Sequence, residues 1–120
     1  MYKYYKGFLR KVGIMIDKEM SLSDVIERSK KIRDQYHKLE KQYHGSEWTI
    51  EEDALAFLTD AGLVGRLTMA NQKRWPVSDN EASQLEHKLS ECIWWLIVLA
   101  ERMDVDIMKS MNEFLTNLER

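Results

Sequence analysis

The stretch SECIWWLIVLAERMDVDI, residues 90–107, sets the architecture. Nine apolar residues, Cys92 to Ala100, follow one another without interruption. A helix that is apolar on every side belongs in a core or against a partner. The run is about half of the roughly 20 residues that a membrane span takes, and charges flank it, so it reads as a core helix. Glu91 stands at its head. Burying an unpaired carboxylate is costly, so the chain must supply a metal, a cation or a route to water at that point.

Upstream and downstream of this run the pattern is helical. Leu22, Val25, Ser29, Ile32, Tyr36, Leu39 and Tyr43 alternate spacings of three and four, the mark of one packed helical stripe. Ser21 or Ser23 can cap that helix, and Gly45 can end it. Thr49 and Glu52 form a capping box for a second helix through DALAFLTDAGLVGRLTMA. Ala61, Gly62 and Gly65 on it are small enough to admit another backbone closely. The stretch NQKRWPVSDN, with the single proline, reads as a surface connection, and Ser78 with Glu81 can start a third helix. MDVD is a break, with Asp104 or Asp106 capping a fourth helix over IMKSMNEFLTNLE.

No strand alternation or Gly-rich phosphate loop follows residue 20, so the expected fold is all-α and four-helix-bundle-like. The second and third helices, the most apolar, should form its centre, with the fourth covering one end. Residues 21–120 make one helical domain. Residues 1–20 differ, with Lys3, Lys6, Arg10 and Lys11 among tyrosines, and form an N-terminal extension without the apolar stretch of a signal peptide.

Composition narrows the function. The chain of 120 residues is 44% hydrophobic, enough for a core, and its net charge of −2 argues against a dedicated nucleic-acid binder. One cysteine, Cys92, rules out an internal disulfide and a Cys-based zinc site, and points to a reducing, cytoplasmic setting. No membrane partner is expected.

The chemistry gathers on acids inside apolar helices. Asp60 lies within ALAFLTDAGLVG, as Glu91 does within the third helix. Facing helices sit about 8–10 Å apart, so one acid from each can meet at a cation, and oxygen ligands suit Mg²⁺ or Mn²⁺. The positions that would add a second ligand on the same face hold Leu63 and Lys88. An ammonium has no lone pair for a metal, so Lys88 can instead neutralise both acids. His87, four residues before Glu91, can bond it. Trp94 and Trp95 fit core or subunit packing.

These residues carry a resemblance. LEHKLSECIWWLIVLAERMDVDIMKSM resembles the second motif of the MazG-like all-α nucleoside triphosphate pyrophosphohydrolases, an E-x-x-D before an aliphatic stretch, a turn and a last helix. FLTDAGLVGRLTMA resembles their first motif, E-x-x-E, and HGSEWTIEEDAL fits the segment before it. The similarity runs from about Ser21 to Leu118. It implies a helical bundle that assembles as a homodimer or homotetramer. It also implies four acids holding Mg²⁺ or Mn²⁺ so that a nucleoside triphosphate is split to a monophosphate and pyrophosphate.

Carried over by position, the first motif falls on Asp60 and Leu63, and the second on Lys88 and Glu91. Two metal-binding acids remain and two are replaced, so the resemblance implies a degenerate site. Two readings follow. One is a pyrophosphohydrolase with a shifted site that enlists Asp53, with Arg66, Lys73 and Arg74 gripping phosphates. The other is a catalytically inactive module that binds a nucleotide or a protein, with no metal needed.

Overall fold

The computed structural model describes residues 19–76 and 80–120, and the fold they form is an all-α bundle of four helices. These are α1 (Leu22–His44), α2 (Ile50–Asn71), α3 (Glu81–Arg102) and α4 (Ile107–Leu118). Most of the N-terminal extension, and Ser78 with it, lies outside the described residues.

Local chemistry sets the helix ends. Ser21 Oγ accepts the Asp24 N–H at 3.1 Å while Asp24 accepts the Ser21 N–H at 3.1 Å, a reciprocal capping box. Thr49 and Glu52 repeat the arrangement at 3.1 and 3.0 Å. Gly45 ends α1 at φ 78°, a left-handed conformation that costs glycine little. α3 opens after Asn80. Asp106, and not Asp104, caps α4 by accepting the Lys109 N–H at 3.0 Å.

α2 and α3 run antiparallel as the central pair, α1 packs on α3, and α4 touches the end of α3. Three expectations need correcting. The buried stripe of α1 is Ile26, Ser29 and Arg33, while Leu22, Ile32, Tyr36, Leu39 and Tyr43 are exposed. Ser29 of the expected stripe is buried, and the inward face is shifted from the rest of it toward Ile26 and Arg33, the latter bonded to Asp53 of α2. Second, no other described element closes onto the glycines, since a Cβ at Gly62 or Gly65 would meet nothing within 4 Å. Third, α4 buries none of its residues and covers little.

The apolar run of α3 is split in two. Trp95, Ile97, Val98 and Ala100 are buried, whereas Ile93 and Leu96 remain 58% and 49% exposed. Among the described residues no helix is long and apolar enough to cross a membrane.

Candidate functional site

Two polar clusters, one closed and one half-buried, lie along the α2–α3 contact, two helical turns apart. Seven residues forward on α2, from Asp53 to Asp60, correspond to seven backward on α3, from Arg102 to Trp95. Seven residues is nearly two whole turns, so each pair faces the other helix at both levels.

At the Asp60 level the sequence-derived residues do meet. Lys88 Nζ donates to Asp60 Oδ1 at 3.2 Å and to Glu91 Oε1 at 2.9 Å. Trp95 Nε1 donates to the other Asp60 oxygen at 3.0 Å. Lys88 and Glu91 share a face of α3 because they are three residues apart, and Trp95 follows four later, on the same side. The paired carboxylates, through their hydrogen bonds and charge, raise the Lys88 pKa above its ordinary value. His87 Nε2 lies 2.8 Å from Glu91 Oε1, on the exposed outer side.

This arrangement does not suit a divalent ion. Its one cation sits between the two acids, both Asp60 oxygens are engaged, and Leu63 offers no donor. Two carboxylates and an ammonium sum to −1. Among the described residues, no three His, Cys, Asp or Glu side chains gather where an ion could be held.

Beside the cluster opens a cleft of about 480 Å³, walled by Leu63, Leu67 and Ala70 of α2, by Trp75 and Pro76, and by Gln84 and Lys88 of α3. The Arg66 guanidinium stands over the Trp75 ring at 4.9 Å, a cation–π contact. Lys73 and Arg74 are exposed past the end of α2 and do not line this cleft. Of the three proposed phosphate-gripping residues, only Arg66 stands there.

Sequence reasoning misses the second level. Asp53 is wholly buried, and it accepts from Arg33 at 2.9 Å and from Arg102 at 2.8 Å. Arg33 turns its other side to Glu40, at 2.7 and 3.3 Å, and Glu40 also accepts the Trp48 N–H at 2.8 Å. Burial pushes the Glu40 carboxyl up, but Arg33 and the Trp48 N–H together hold it below the ordinary range. Asp53 therefore has no oxygen to lend a shifted metal site. The chain does carry a signal for this level: Lys88, Trp95 and Arg102 recur every seven residues, opposite Asp53 and Asp60 at the same interval. Arg33 bears no such mark.

Cys92 is half-buried, and burial, then the charges of Asp60 and Glu91, push its thiol up. It is a poor nucleophile there. Comparison with known family models, curated proteins and solved structures finds no match to this chain.

Proposed function

We propose that this chain is a MazG-like helical module that has lost pyrophosphohydrolase chemistry and works by binding. The observation that carries the reading is Lys88, held at 3.2 and 2.9 Å by the two acids that the resemblance would assign to a metal. A protonated lysine there repels a divalent cation and already satisfies the carboxylates that would attract one. Leu63, at the position of a third acid, adds an apolar wall. A nucleotide retained without turnover would lie in the cleft beside Lys88, where Arg66 and Trp75 offer a charge and an aromatic face.

The test is pyrophosphate release from a panel of NTPs and dNTPs with Mg²⁺ or Mn²⁺, for which the parent should match the blank. Metal-dependent release by the parent would reject the reading. The double variant Leu63→Glu, Lys88→Glu restores four acids. It should melt lower than the parent without metal and recover in millimolar Mn²⁺, because an ion bound only by the folded state stabilises it. A variant that ignores the metal would show that these four positions do not form one site.

A further inference from the structure

Among the described residues nothing buries α4. Met108, Met111, Phe114, Leu115 and Leu118 are between 39% and 67% exposed. With the half-buried Ile107 they fall within an arc of about 120° along the whole helix, and Lys109 and Glu113 lie on the far side. A helix of 12 residues is marginal in water by itself and owes its stability to packing of its apolar face. The face therefore calls for a cover that the described residues do not supply.

The chain preceding the described residues starts from the right place. Lys30 pairs with Glu101 at 3.2 Å and Tyr36 meets the Trp94 ring edge-on, so α1 runs antiparallel to α3. Leu22 is eight residues before Lys30, about 12 Å, so α1 begins past Arg102, at the end from which α4 leaves. Residues 17–21 span about 17 Å at most, so a segment ending at Ile16 is tethered to that same end. In the sequence, Tyr5, Phe8, Leu9, Val12, Met15 and Ile16 share an arc of about 120° at helical periodicity, and Lys3, Lys6, Arg10 and Lys11 fall outside it. Their steps of three, one, three, three and one are those of the α4 stripe read backward from Leu118 to Ile107. Antiparallel helices mate along stripes mirrored in this way. Residues 1–18 carry five cations and one acid, the rest of the chain thirteen and nineteen, so the two parts attract. The other uncovered faces fit less well. Arg28 stands within the exposed stripe of α1, a like charge for this segment, and Gly62 and Gly65 interrupt that of α2.

We propose that residues 5–16 pack on α4 of the same chain as an antiparallel amphipathic helix, with Ile16 at Ile107, Val12 at Met111, Leu9 at Phe114 and Tyr5 at Leu118. Gly7 and Gly13 weaken this segment as a free helix, so it and α4 are stable together and not apart. The inference rests on the uncovered face of α4 and not on the loss of catalysis, so either can fail alone.

Hydrogen exchange of the full chain should show residues 5–16 and α4 protected to a similar degree, independent of dilution. Leu9→Asp should speed exchange across α4 at least tenfold, and Leu115→Asp should do the same across residues 5–16, while α2 and α3 stay as they were. A nitroxide on Glu119→Cys, in a Cys92→Ser chain, should broaden the resonances of residues 4–8 more than those of residues 13–16. Unprotected residues 5–16, or variants that act only on their own segment, overturn the contact. Protection lost on dilution overturns it by giving the face to another molecule, and release of the segment by Leu39→Asp or Leu58→Asp overturns it in favour of α1 or α2. The opposite order of broadening overturns the antiparallel register.

Discussion

The two polar levels of the α2–α3 contact are built from the same parts and serve different ends. At the Asp53 level, two guanidiniums and two carboxylates cancel in charge, and the central carboxylate has no exposure to water. At the Asp60 level, a lysine is divided between two acids, leaving −1, and every member keeps some contact with water, 12% for the Asp60 side chain and 26% and 29% for Lys88 and Glu91. The planar guanidinium fork suits a closed structural clasp, while a compact ammonium on a flexible stem suits a site that can rearrange. The first level ties α1, α2 and α3 together. The second adjoins the cleft, which Lys88 helps to line.

That contrast is open to test, and the largest effect belongs to the closed level. Asp53→Ala takes the carboxylate from between two arginines, leaving the buried Arg33 with Glu40 alone and Arg102 with no carboxylate. The loss should be about 3–5 kcal/mol, lowering the melting temperature by roughly 10–20 °C. Thermal melting of the variant checks this, and a shift of only a degree or two would mean that the clasp is not structural. Lys88→Ala removes the cation from the open level, where water can replace it. The expected loss is smaller, about 1–2 kcal/mol. If Lys88→Ala proved the more damaging in the same melts, the two levels would have to exchange roles.

The smallest effects are in pH. Glu40 has a folded pKa below its ordinary 4.5, so its contribution is present above that value and lost as pH falls through the lower, folded one. Lys88 has a folded pKa above 10.5, so its contribution is complete below 10.5 and lost as pH rises through the folded value. Melting temperature against pH should therefore fall at the acid end through the closed level and at the alkaline end through the open one. Glu40→Gln should flatten the first limb and Lys88→Met the second, each leaving the other unchanged.

Legibility in the sequence follows the range of the interaction. The helix starts at Ser21 and Thr49 and the stop at Gly45 are legible, because a cap is decided by residues three or four apart. The meeting of Asp60, Lys88 and Glu91 is also legible, since Lys88 and Glu91 share a face by spacing alone and the acid on α2 stands out among apolar neighbours. The inward face of α1 is not. Ser29 of its regular stripe is buried, but so are Ile26 and Arg33 beside that stripe, and Arg33 reaches Asp53, a residue twenty positions away that no local pattern points to.

The four-helix character, the helix ends and the presence of acids that have to be compensated all follow from local sequence. Each of these depends on propensity, capping or burial cost, all readable within a few turns of chain. Packing in three dimensions was needed to show that Asp53 is clasped by arginines from two other helices, that the glycines of α2 face open space, and that Ile93 and Leu96 of the apolar run on α3 stay outside. Those outcomes depend on how each helix is rotated and in what register it packs. A rotation of one residue, about 100°, exchanges one face for another while leaving the local pattern intact.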